Sequence, residues 1–149
     1  MAGEGNKVVD LNSAYRHKVD AKGRMALPAS FRKVLSTDLV VTRNPKDECL
    51  YVFEPDAFNA WVAGVFEDKF EKFDRTNDLH VRLRRKLKSR AADVSIDAAG
   101  RIMISAEQRE AVGIDKEVVV VGNTGYFEIW DAKRYDAVDD ETDLGLLFD

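Results

Sequence analysis

A chain of 149 residues with 45% apolar and 34% charged side chains can form one ordinary domain, or two half-sized units that share a core because neither buries enough surface alone. No apolar run approaches the roughly 20 residues that span a bilayer, and the opening MAGEGNKVVD lacks the apolar stretch of an export signal, so a cytoplasmic protein without a membrane partner is expected. The single Cys49 excludes an internal disulfide, and with only His17 and His80 beside it neither a metal nor another cofactor is expected.

In chain order, AYRHKV alternates as a strand should, DAKG turns with Gly23 free to take positive φ, and RMAL returns as a second strand. Pro28 opens a short helix, PASFRKVL, in the place Pro favours at a helix start. DLVVTR and CLYVF are β-branched and aromatic runs joined by NPKDE, which predicts a hairpin. Phe58, Trp61, Val62, Val65 and Phe66 then follow helical spacing after an acidic start. A second helix is predicted from about Asp78, with Leu79, Leu83, Leu87 and Ala91 along its apolar side. Its other faces carry Arg82, Arg84, Arg85, Lys86, Lys88 and Arg90, a solvated face or a contact surface for phosphate or another subunit.

After this insert the first pattern returns. ADVSI, the turn DAAG, the strand RIMI, a helix SAEQREAVG capped by Ser105 and ended by Gly113, then KEVVVVG, the turn NTG and YFEIW repeat the earlier order. Asp20, Gly23, Arg24, Leu27 and Arg32 map onto Asp97, Gly100, Arg101, Ile104 and Arg109 at one offset of 77, and Leu50, Val52, Phe53 and Phe58 map at the same offset onto Phe127, Ile129, Trp130 and Tyr135. The expected organisation is an N-terminal extension over 1–10, one ββαββ half over 11–54, a helical insert over 55–91, the other half over 92–135 and an acidic tail over 136–149. Two such halves predict a mainly β fold with helices, in the α+β class, in which each half closes the edges the other leaves open. Neither half should fold alone.

The net charge of −4 argues against nucleic acid only until charge is located. Residues 136–149 hold six acids and no Lys or Arg; without them the chain has 23 basic against 21 acidic residues. Between residues 16 and 33 stand Arg16, Lys18, Lys22, Arg24, Arg32 and Lys33 against Asp20 alone. The tail itself, with Leu144, Leu146, Leu147 and Phe148, is expected to be disordered rather than docked.

YRHKVDAKGRMALPASFR, LVVTR, CLYVF, SRAADVSIDAAGRIMI and KEVVVVG followed by YFEIWD resemble the MraZ family, over residues 11–136. The resemblance implies a pseudo-two-fold swapped-hairpin β-barrel of two tandem SpoVT/AbrB-like units. It implies a transcriptional regulator that binds repeated double-stranded DNA sites upstream of its own division and cell-wall gene cluster, associates with the nucleoid and forms ring-like homo-oligomers. Carried over residue by residue, the DNA-contact motifs fall on Asp20 and Arg24 and on Asp97 and Arg101. An Arg fork at a turn matches guanine O6 and N7, Lys22 adds charge for phosphate, and the two aspartates hold the turn or the adjacent Arg. Arg16, Lys18, Arg32 and Lys33 are then candidate contacts to the DNA backbone. Ala99 departs from the family pattern in the second turn and weakens that copy relative to the first.

No nucleophile with a base, carboxylate pair or phosphate-cradling glycine loop is present in the sequence, so neither an enzyme nor a small-molecule substrate is expected. The alternative reading is an AbrB-like antitoxin, or a scaffold that uses the fold only for assembly.

Overall fold

A computed structural model describes residues 8–148; residues 1–7, most of the expected extension, and Asp149 lie outside the described residues. The first half comprises β1 (Ala14–Lys18), β2 (Arg24–Ala26), α1 (Ala29–Arg32), β3 (Asp38–Arg43) and β4 (Leu50–Phe53). Then come α2 (Pro55–Phe70) and α3 (Asp78–Ser89). The second half comprises β5 (Ala92–Ser95), β6 (Arg101–Met103), α4 (Ala106–Ala111), β7 (Glu117–Gly122) and β8 (Phe127–Asp131), followed by α5 (Ala132–Glu141) and a 3-10 turn at Leu144–Leu147. The mixed α+β class expected from the pattern is the class observed.

Six strands form one antiparallel sheet in the order β1-β7-β8-β4-β3-β5, and β2 pairs β6 in a separate ribbon. Only the hairpins β3–β4 and β7–β8 stay within a half; β1–β7, β5–β3, β4–β8 and β2–β6 all join one half to the other. In the ribbon Arg24 faces Met103, Met25 faces Ile102 and Ala26 faces Arg101. Shifting the first-half partners by 77 returns the same ladder read from the opposite strand. At mid-sheet Leu50 faces Ile129, Tyr51 faces Glu128 and Val52 faces Phe127, which is self-equivalent in the same way. The two-fold relation therefore passes through the Met25/Ile102 and Tyr51/Glu128 pairs.

Both faces of the sheet's four inner strands are covered, which is why DLVVTR and EVVVVG run as apolar blocks, whereas the edge strands β1 and β5 alternate with exposed residues. On one face Leu39, Val41, Val118, Val120, Phe127 and Ile129 form a core with Met25, Leu27, Ile102 and Ile104 of the ribbon and with Phe31 of α1. On the other, Val40 and Phe53 pack with Phe58, Val62 and Phe66 of α2.

Three expectations need correction. The helix predicted over PASFRKVL is only Ala29–Arg32, with Pro28 as its extended N-cap, because the chain passes into i+3 turns at Val34 before β3. In α3, Leu79 and Leu83 are 56% and 39% exposed, while His80 is the buried residue. His80 Nδ1 accepts from Asp74 N at 3.0 Å and its ring lies against Phe66, Phe70 and Phe73, so the helix turns this face inward. Finally, the chain beyond residue 136 is not without structure: α5 continues to Glu141, and Asp143 caps the 3-10 turn through Gly145 N at 2.8 Å. Leu144, Leu146, Leu147 and Phe148 nonetheless remain 68–85% exposed.

Candidate nucleic-acid interface

The two D-x-x-G-R turns are built alike, bond for bond. Asp20 N donates to Arg24 O at 2.9 Å and Gly23 N to Asp20 O at 3.0 Å, while Asp20 Oδ1 accepts from Lys22 N and Arg24 N, both at 2.9 Å. Asp20 Oδ2 accepts from Arg24 Nε at 2.8 Å. In the second copy Asp97 Oδ1 accepts from Ala99 N and Arg101 N at 2.9 Å, and Oδ2 from Arg101 Nε at 3.2 Å. One carboxylate thus shapes the turn and aims the following guanidinium. The backbone N–H of Arg24, and in the second copy that of Arg101, is the main reason each Asp carboxyl is held below its ordinary value. Bonding through Nε leaves the terminal nitrogens of both guanidinium groups free of hydrogen bonds among the described residues, with side chains 32% and 36% exposed.

Gly23 and Gly100 adopt φ of +92° and +79°, and each also makes room for a residue of the other half. A Cβ on Gly23 would strike the Ile104 carbonyl and approach Arg109; one on Gly100 would strike the Arg32 side chain. The crossing is fixed by Leu27 N donating to Gly100 O at 3.0 Å and Ile104 N donating to Gly23 O at 2.8 Å. Arg32 and Arg109 therefore lie over each other's turns.

Pairing of β2 with β6 brings the two motifs to one surface. Met25 and Ile102 are 1% exposed and point into the core, so Arg24, Ala26, Arg101 and Met103 share the outward face. Because Arg24 lies opposite Met103 and Ala26 opposite Arg101, the arginines are diagonal neighbours, about 7–8 Å apart at the backbone. The flanking bonds make Arg24/Met103 and Ala26/Arg101 the non-hydrogen-bonded pairs, in which opposed side chains stand closest.

The other expected contacts are dispersed. Lys22 is exposed at the apex of the first turn, and Lys18 is exposed at the end of β1 opposite Glu117. Arg16 is exposed on β1 but is ion-paired through Nη2 with Asp136 of α5 at 2.6 Å. Arg32 sits on the second turn, as described, and Lys33 is exposed just after α1. Of the basic residues of α3, Arg84 stacks 3.6 Å over Phe73, and Lys88 Nζ donates to Asn59 at 3.1 Å. Two of these charges thus serve the packing of α3, Lys88 on α2 and Arg84 on the loop that follows α2.

Sequence reasoning missed the direct pairing of the two motif strands, although the constant offset was the available signal for a two-fold crossing. Nor did it single out Met103, which is 50% exposed between the buried Ile102 and Ile104, or Arg134, whose Nη1 donates to Asp47 O at 2.9 Å and Val112 O at 3.3 Å. Among the described residues no cluster of three or more His, Cys, Asp or Glu could hold a metal ion, and no helix is long and apolar enough to cross a membrane.

A sheet whose strands interleave two related halves, closed by a ribbon with a matched Asp–Arg turn at each end, defines an α+β protein built on an internal repeat. The chain belongs to the MraZ family: the family described as "MraZ protein, putative antitoxin-like" matches residues 11–80 and 87–146. Among similar proteins, Transcriptional regulator MraZ of Ligilactobacillus salivarius is 37% identical over 129 residues, covering 87% of this chain and 86% of that one. Transcriptional regulator MraZ of Saccharopolyspora erythraea is 40% identical over 124 residues, covering 83% and 82%, and that of Burkholderia cenocepacia is 38% identical over 126 residues, covering 80% of each.

Proposed function

We propose that this chain is a non-enzymatic, sequence-specific DNA-binding transcriptional regulator that reads the major groove with the outward face of the β2–β6 ribbon. The observation that carries the reading is the pairing register: two partly exposed arginines, each aimed by its own aspartate, stand as diagonal neighbours on one face of a two-stranded ribbon. The major groove of B-DNA admits such a ribbon, and an Arg fork is the commonest specific partner of guanine O6 and N7. A side chain already held at Nε loses less freedom on binding than a mobile one. The names of the relatives support a regulatory role. The interleaved strands agree with a swapped-hairpin barrel of SpoVT/AbrB-like halves.

The targets are repeated sites upstream of the chain's own division and cell-wall gene cluster, bound by a ring-like homo-oligomer at the nucleoid in the cytoplasm. An oligomer engages successive repeats with avidity that no single weak ribbon achieves. Lys22, Lys18 and Lys33 supply phosphate contacts beside the first turn, Arg16 does so when released from Asp136, and Arg32 acts by supporting the second turn.

Footprinting on the DNA upstream of the gene, followed by salt titrations of variants, tests this. Arg24→Ala should cost about 1–3 kcal/mol on the protected sequence and much less on a scrambled duplex. Lys22→Ala should weaken both alike and lower the salt slope by about one unit for each phosphate that is no longer neutralised. Arg101→Ala should cost less than Arg24→Ala, because Ala99 leaves its turn with the weaker positive field. Unchanged affinity of a folded Arg24→Ala protein would reduce the motif to a turn.

The exposed tail run Leu144, Leu146, Leu147 and Phe148 favours a second reading, an antitoxin-like or assembly role for this segment. A toxin copurifying with the intact chain, and absent after removal of residues 142–149, would favour it over operator binding.

A further inference from the structure

Met103 is the one large apolar side chain on the outward face of the ribbon, 50% exposed and directly opposite Arg24. Burial does not explain it: the alternate ribbon positions Met25 and Ile102 already fill the core. Its counterpart in the other half is Ala26, opposite Arg101, so the two corners of an otherwise two-fold ribbon end in different chemistry. One pairs a guanidinium with a long, flexible thioether; the other pairs it with a methyl. In the major groove the one apolar group presented by a base edge is the C5-methyl of thymine.

We infer that Met103 is a specificity-determining residue that packs on a thymine methyl next to the guanine read by Arg24, while the shorter Ala26 leaves the corresponding base beside Arg101 unread. This rests on the groove-reading function proposed above. In a non-hydrogen-bonded antiparallel pair, opposed Cβ atoms stand about 4.5–5.5 Å apart, near enough for two side chains to reach one base-pair step. A bound site is then asymmetric: the Arg24 corner specifies guanine with an adjacent thymine, and the Arg101 corner specifies guanine alone. The protein's internal two-fold does not impose a palindrome on its DNA.

The test replaces each thymine of the footprinted duplex in turn by deoxyuridine, which removes only the C5-methyl, and measures affinity for the full-length protein and for Met103→Ala and Met103→Leu. The wild-type chain should lose about three- to fivefold at one thymine per occupied ribbon, the effect of one buried methyl, and little elsewhere. Met103→Ala should bind the thymine and deoxyuridine duplexes equally, and Met103→Leu should keep most of the discrimination. A wild-type protein that prefers the footprinted duplex to a scrambled one, yet is indifferent to every deoxyuridine, overturns the Met103 assignment and leaves groove reading intact. Equal binding to footprinted and scrambled duplexes overturns groove reading itself. Met103→Ala that changes oligomer size by sedimentation, with methyl discrimination retained, places Met103 in a protein interface and also overturns the assignment.

Discussion

At each turn one carboxylate serves two backbone donors and a guanidinium, so its charge is coupled to the shape of the loop. Both Asp20 and Asp97 are held below the ordinary value of 3.8, chiefly by the backbone N–H of Arg24 and Arg101 respectively. The stability they contribute is present above 3.8 and is lost as pH falls through the depressed folded values. Asp20→Asn with Asp97→Asn keeps one acceptor per turn and loses the charge, so thermal midpoints followed from about pH 6 to about pH 2 should fall less steeply in the double variant. Gly23 gives a sharper contrast with Gly113. Both have positive φ, but a Cβ on Gly113 meets nothing within 4 Å, whereas one on Gly23 runs into the backbone of the other half. Gly113→Ala should cost about 1–2 kcal/mol, the ordinary left-handed penalty. Gly23→Ala should cost more, by the displacement of Ile104, and denaturant titration of the two variants reads the difference. The turn residues were legible in the sequence because D-x-x-G states its own geometry; the neighbour that crowds Gly23 was not, since it lies 81 positions away.

For the helices, periodicity gave location more surely than rotation. The four-residue spacing of Leu79, Leu83, Leu87 and Ala91 predicts the inward side of α3, but the first two of these leucines face outward. The helix instead buries His80, whose ring satisfies a backbone donor in the preceding loop while lying among three phenylalanines. No apolar scale ranks a histidine first for that place, so the signal was absent. His80→Ala should cost about 2–4 kcal/mol, from lost packing and the orphaned Asp74 N–H, whereas Leu79→Ala should stay within about 0.5 kcal/mol; thermal or denaturant unfolding of the two variants measures both. At the other end of the chain, α5 touches β1 through the Arg16–Asp136 pair, both partners being more than half exposed. Such a pair adds little to stability but withholds a cation from phosphate. Asp136→Asn should leave the melting temperature nearly unchanged, raise affinity for a random duplex at low salt and steepen the salt dependence.

For the whole molecule, the offset of 77 made the duplicated order of elements legible, and the strand composition placed most of them. The pairing partners were less accessible. Strand patterns record which residues are buried, but not which edge buries them, and β2 and β6 are only three residues each. The candidate arginines could therefore be named from the motif, while their convergence on a single face required the register. Because four of the six pairings cross between halves, the fragments 1–90 and 91–149 should each lack cooperative unfolding and near-ultraviolet circular dichroism. Mixed or coexpressed, they should recover both. A fragment that melts cooperatively by itself would mean that the hairpin core suffices without its partner.

The same interleaving sets a timetable for synthesis. When β4 leaves the ribosome, the first half has all its strands, but the partners of β1 and β2 and of the outer edges of β3 and β4 arrive only with β5 to β8, ending at Asp131. At about 5–20 residues per second, translating the intervening stretch keeps those edges unsatisfied for about 4–16 s. During that interval the chain is held by local hairpins alone, and its slow step is a long-range closure rather than helix formation. Neighbouring nascent chains on one message present identical open edges at high local concentration, each able to accept strands meant for the other. The arrangement that joins two turns on one outward surface thus also makes early encounters between copies a hazard, one that lengthening the α2–α3 insert would increase and a faster-translated second half would reduce.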